Sequence, residues 1–348
     1  MRAFLAPIIA AGLLLAACGS SGGEAASSSP GADANRVVVL VSGVDSVTPF
    51  TTPDAACTSG LSAGTTWAFM RDYLTQQGFK VYTAPVMDTE SDPVPPTLDD
   101  TVRGPFGGCP EQLGTDVTIR SIHTPIEGGQ HLAAFINLLR EQYGVTSIDV
   151  VAHSLGGIFA RNGLHELKMG GSPVTVRSFT TLSSPWEPVM LAVPPYDPPK
   201  ACDGFELCMG IVEGLETIPA VREIVDSFQP DVFIPWTEQQ VGVLDNVPVT
   251  LVAGTMFTKP GGNPDKWPND GFVQYSASTA RTVPDNVLPI RACYAFPFAH
   301  SPFTARLVGA PDDQSVTWNA AVGSVVATAI RRAGTPEQAP NRMGCPNL

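Results

Sequence analysis

The residue best placed by its neighbours to do chemistry is the serine in Ile148-Asp-Val-Val-Ala-His-Ser-Leu-Gly-Gly157. A β-branched run passes through Ser154 into a segment that reads as a helix, and so sharp a turn forces the serine into strained backbone that exposes its hydroxyl. Only small residues fit two positions before and after such a serine, and Ala152 and Gly156 occupy those places. A serine hydroxyl is a poor nucleophile until an imidazole removes its proton. Of the five histidines, His153 points away from Ser154 across the turn, His165 lies a helix away, and His123 and His131 precede the turn in loop and helix surroundings. His300, in Phe298-Ala-His-Ser-Pro302, follows the last predicted strand. That is the carboxyl edge, where open α/β sheets hold their ligands, and His300 is therefore the predicted base. A carboxylate to orient it belongs after the strand predicted at Val247 to Ala253, which leaves Asp265 and Asp270. Asp245 and Asp285 precede strands and fall at the wrong edge. A tetrahedral oxyanion needs two backbone donors, one from the residue after the nucleophile and one from the loop after the first central strand. These positions are Leu155 and Val44, with Asp45 as the adjacent alternative to Val44.

The elements that must carry these residues alternate. Arg36 to Ser42 is a β-branched run ending at Gly43, as expected of a strand buried on both faces. A helix is expected over Thr65 to Gln77 and a strand over Phe79 to Thr83, followed by an irregular Pro- and Gly-rich excursion from Pro85 to Gly114. Leu132, Phe135, Ile136 and Leu139 stand at helical spacing, and Gly144 ends that element. Strands follow at Ser147 to Ala152, Val176 to Leu182, Val247 to Ala253 and Leu288 to Ala295. The helix Leu155 to Lys168 and a closing helix around Val322 to Ala329 complete the pattern. Such alternation predicts an α/β fold with a mostly parallel central sheet and helices on both faces. Pro185 to Asn246 is far longer than an ordinary connection. It reads as a cap insertion, about 187–246, with Val212, Leu215, Ile218 and Val221 on one helical stripe and Phe228, Phe233 and Trp236 behind it.

The Ala-His-Ser-Leu-Gly-Gly turn, Thr180-Thr-Leu-Ser-Ser-Pro-Trp186 and Asn269-Asp-Gly-Phe-Val273 together resemble bacterial lipases and esterases of the α/β-hydrolase fold. The resemblance covers most of Arg36 to Arg332. It implies Asp270, in place of Asp265, as the carboxylate that orients His300, because the related Asn-Asp-Gly-Leu-Val stretch supplies that aspartate. It also implies cleavage of carboxylic esters, lipid-like or otherwise apolar, through an acyl-enzyme on Ser154. The chain departs from the pattern at Ser42-Gly43, where such lipases usually carry His-Gly, and this bears on Val44 as an oxyanion donor. Some relatives hold a structural calcium; no carboxylate set here is assigned to one, and no cofactor is expected. An acyltransferase or peptidase on the same triad, or a catalytically silent binding lipoprotein, are the competing expectations.

Met1-Arg2, the apolar run Ala3 to Ala17 and Cys18 form an export signal too short to span a bilayer. Leu15-Ala-Ala-Cys18 resembles the lipobox of bacterial lipoproteins. That implies a signal peptide at 1–17, acylation of Cys18, and anchoring to the bacterial cell envelope. Residues 18–35, rich in Gly, Ser and Ala, read as a flexible tether, and 36–348 as the hydrolase domain. A net charge of −13 with no basic cluster excludes a nucleic-acid partner. The partners expected are therefore a small-molecule or lipid ester and the membrane, the latter through the acyl anchor. The remaining cysteines, Cys57, Cys109, Cys202, Cys208, Cys293 and Cys345, are even in number, as disulfides in an exported chain require. Cys202 with Cys208 is the pair that short spacing favours; no metal site is expected, since no CxxC pair or histidine cluster accompanies them.

Overall fold

Six strands form one fully parallel sheet in the computed structural model of the chain. The structure describes residues 35–44, 46–57, 61–87, 109, 113–190, 202–216, 219–333 and 344–345. The expected signal, the tether with Cys18, and Asp45 lie outside them. The sheet strands are β1 (Arg36–Val41), β2 (Val81–Thr83), β5 (Ser147–His153), β6 (Thr175–Leu182), β7 (Val249–Gly254) and β8 (Arg291–Phe296). Their spatial order is β2-β1-β5-β6-β7-β8. Every neighbouring pair is parallel. A second, two-stranded sheet pairs β3 (Val86–Met87) with β4 (Ile119–Arg120) inside and beyond the stretch expected to be irregular.

Because side chains alternate along a strand, each strand feeds two cores. Val37, Val39, Val41, Ile148, Val150 and Ala152 pack on one face with Leu132, Phe135 and Ile136 of α2 (Pro125–Tyr143) and Ile158 and Phe159 of α3 (Gly156–Met169). Val38, Leu40, Val151, Leu182 and Val252 pack on the other with Trp67, Met70 and Leu74 of α1 (Gly64–Gln76) and with the closing helix, Ala320–Arg332. α2 starts where the Thr124 side chain accepts from the Glu127 N–H with Pro125 in the first turn, and stops at Gly144 in left-handed backbone. The result is the α/β architecture, a parallel sheet with helices on both faces, that the alternation predicts.

The described part of the cap holds α4 (Glu206–Glu216), α5 (Pro219–Ser227) and α6 (Pro230–Glu238). The single stripe expected through Val212 and Val221 is thus divided between two helices, and Ile218 lies outside the described residues. Pro219 explains the break: it supplies no N–H and disfavours helical backbone in the residue before it. After the cap, α7 (Tyr275–Ser278) precedes β8, and α8 (Pro302–Leu307) and α9 (Ala320–Arg332) follow it.

The six cysteines pair as Cys57–Cys109, Cys202–Cys208 and Cys293–Cys345. The third bond brings Gly344, at φ 70°, onto strand β8, so closely that a Cβ there would fall 2.5 Å from the Cys293 carbonyl oxygen.

Candidate active site

Strand β5 delivers Ser154 at its carboxyl end with φ 56°, the left-handed region that a side chain occupies only at a cost. The backbone around it is compressed. A Cβ on Gly43 would fall 2.7 Å from the Leu155 nitrogen and 2.7 Å from Ser154 Cβ, and one on Gly156 would fall 2.5 Å from the Val41 carbonyl oxygen. The loop after β1 therefore lies directly against the turn, so Val44 and the Leu155 N–H belong to neighbouring backbone. α3 begins immediately after Leu155, and its N-terminal end adds a positive field where an oxyanion would form.

The loops after β7 and β8 bring in a carboxylate and an imidazole. His300 Nδ1 stands 2.8 Å from Asp270 Oδ2, and the His300 N–H donates to the Asp270 carbonyl at 2.9 Å. Asp270 is 0% exposed and His300 4%. Burial alone would raise the Asp270 pKa, yet it lies below the ordinary carboxylate value. The His300 charge, its hydrogen bond, a hydrogen bond from Ser183 and the Val273 N–H together outweigh desolvation. The Phe272 and Val273 N–H groups donate to Oδ1 at 3.0 and 2.8 Å, which fixes the carboxylate's second oxygen. Ser183, itself at φ 48°, is tied to the end of β7 by the Gly254 N–H at 3.2 Å. An imidazole oriented in this way keeps its hydrogen on Nδ1 and presents Nε2 as a base.

The other candidates fall elsewhere. Asp265 is exposed and pairs with Arg281, and Asp285 pairs with Arg291 at 2.7 Å. His123 faces Glu127 at 3.3 Å, His131 bonds the Thr118 carbonyl at 2.8 Å, and His165 lies 3.9 Å from Glu166. Among the described residues no group of three or more His, Cys, Asp or Glu is placed to hold a metal ion.

Four residues that the sequence does not single out shape the site. Ser183 donates to Asp270, Phe272 stacks on His300 with ring centroids 4.8 Å apart, and the His153 ring lies 4.6 Å from that of His300. The fourth is Arg161 of α3, fully buried between Trp186 at 4.5 Å and Trp236 at 4.3 Å, donating to Gln240 and Thr237 of the cap. The one available signal was the Thr-Thr-Leu-Ser-Ser-Pro-Trp stretch, which contains both Ser183 and Trp186. Between the cap and the body a cavity of about 390 Å³ is walled by Trp186, Phe233, Ile234, Val283 and Pro284, with Glu187 and Gln274 among its polar residues.

Among solved structures the chain is similar to the mature form of a Bacillus licheniformis lipase, BlEst2, at 13% identity and TM-score 0.49 over 86% of this chain and 93% of that one. It is also similar to a Pyrococcus furiosus esterase, Pf2001, at 14% identity and TM-score 0.43 over 86% and 83% of the two chains. A hydrolase from Oleispira antarctica matches at 11% identity and TM-score 0.42 over 85% and 91%. No protein-family model and no curated protein sequence matches it.

Proposed function

We propose that this chain is an exported serine hydrolase of carboxylic esters, with Ser154 as nucleophile, His300 as base and then acid, and Asp270 orienting His300. One observation carries the reading: a serine held at φ 56° at the carboxyl edge of the sheet whose next strands supply a histidine bonded to a fully buried aspartate. Ser154 Oγ adds to the ester carbonyl while its proton passes to His300 Nε2. The Leu155 N–H and a donor in the loop at Val44 hold the oxyanion. As the tetrahedral intermediate collapses, the C–O bond to the alcohol breaks and His300 returns its proton to the departing oxygen. Water, deprotonated by the same imidazole, then releases the acid and regenerates Ser154. Asp270 stays ionised throughout and stabilises the imidazolium.

A preference for apolar acyl groups is what the resemblance to bacterial lipases implies. Acylation of Cys18 would keep the enzyme at the bacterial envelope.

The test is hydrolysis of p-nitrophenyl esters of increasing acyl length, beside labelling with a fluorophosphonate. The expected result is turnover and labelling that both vanish in folded Ser154→Ala and His300→Ala. A folded wild-type protein that neither turns over nor labels would overturn the assignment.

A further inference from the structure

His153 is adjacent to the nucleophile, yet none of the steps above uses its side chain. It ends β5 and is only 4% exposed. Its Nε2 lies 2.8 Å from the carbonyl oxygen of His300, 147 residues away in sequence. A carbonyl can only accept, so Nε2 must carry the hydrogen. Nδ1 is buried with no hydrogen-bond partner. A proton placed there would be an unsatisfied cationic donor in an apolar surround, a costly arrangement. The ring beside it, Trp67, meets it edge-on with centroids 6.3 Å apart, and its own Nε1 is also buried without a partner. Burial, with the nearby His300 charge, draws the His153 pKa down to about 3, in keeping with a ring that stays neutral.

His300 has four polar groups. Its N–H and its Nδ1 are held by Asp270, and its C=O is held by His153. The fourth, Nε2, is the one the chemistry needs. Asp270 can set the tilt of the imidazole, but a ring hinged on one residue can still swing with its main chain. The bond from β5 to the His300 carbonyl ties that main chain to the strand that carries Ser154.

We infer that His153 is a positioning residue: as a fixed Nε2–H tautomer it ties the His300 backbone to the nucleophile's own strand and so sets the distance between base and nucleophile. This rests on the triad assignment above. A leucine would fill the same space without the donor, whereas glutamine offers an amide N–H at similar reach, so the two variants separate bonding from packing.

The experiment uses the purified full-length chain. Histidine ¹⁵N spectra of the wild type come first, with His153→Ala identifying the signal; Nε2 protonated and Nδ1 bare are expected, and the reverse tautomer overturns the inference. Next, kcat and KM are measured for His153→Leu and His153→Gln. In the leucine variant kcat should fall about 100-fold, the scale of a displacement near 1 Å at a reacting atom, with KM little changed. Glutamine should restore most of it. Equal kcat in folded leucine and glutamine variants would show packing alone and overturn the proposal. If the wild type neither labels nor turns over, the triad assignment fails. The downfield proton shared by His300 and Asp270 then decides separately: kept in glutamine and lost in leucine supports positioning, unchanged in both refutes it.

Discussion

Asp270 and Arg161 are both buried, and their charges are treated in opposite ways. Asp270 is surrounded by hydrogen-bond donors: His300, Ser183 and two backbone N–H groups. Arg161 meets no carboxylate among the described residues. Two neutral side chains of the cap accept from it, three aromatic rings face it, and its Nη1 has no partner. Burial draws its pKa down to about 9, which still leaves it cationic at neutral pH. The contrast teaches where rigidity is placed. The carboxylate of the proposed triad is satisfied in advance, so under that proposal nothing reorganises when charge develops. The guanidinium joining α3 to residues 237 and 240 keeps one nitrogen without a partner.

The largest expected effect tests the well-satisfied side. Asp270→Asn keeps the shape but holds the imidazole in the wrong tautomer, and kcat should drop by about 10⁴ with the fold intact. A loss below tenfold in ester hydrolysis would remove Asp270 from the role that distinguishes it from Arg161. The next effect tests the other side through denaturant midpoints. Arg161→Ala gives up stacking on two indoles and leaves a void, and should destabilise by about 2–4 kcal/mol. Arg161→Met refills that space without a charge and should stay within about 1 kcal/mol of wild type. If methionine is as damaging as alanine, the charge itself is valuable and the contrast collapses.

The smallest effect is on pH dependence. His153 has a folded pKa of about 3 against 6.5 when unfolded, so between those values the unfolded chain binds the extra proton. Stability therefore falls as pH drops through that window, and His153→Gln should flatten this part of the profile. Asp270, with its depressed pKa, contributes stability that is complete above the ordinary carboxylate value and lost as pH falls through its folded one. Arg161 has the same sign in a separate window: its penalty is full below about 9 and shrinks as pH climbs toward the ordinary arginine range. Urea unfolding at stepped pH checks the windows, and an acid limb identical in His153→Gln would contradict the first.

Most of the sheet was legible because β1, β5 and β7 centre on buried Val, Leu and Ile and are bounded by turn residues, which is how doubly covered parallel strands read. The β3–β4 pair was not, since two-residue strands have no period to detect. The helices of residues 206–238 were legible as apolar but not in number, because the apolar spacing runs on across Pro219, where a second helix begins. Ser154 announces itself locally through its small neighbours. Asp270 rested on resemblance; His153 was legible only as a side chain pointing away from Ser154, Ser183 only as part of a resembling stretch, and Arg161 not at all. Their roles exist only in contacts across 147 residues for His153 and 79 for Arg161 with Gln240, which no window along the chain contains.

One covalent feature reaches beyond the chemistry. β8 is the outermost strand of the sheet, paired on one side only, and such an edge invites another chain to add a strand. The Cys293–Cys345 bond presses Gly344 against the backbone at the middle of β8. The opposite edge, β2, is three residues long. Among the described residues neither border offers a long open template on which another copy could stack edge to edge into fibres.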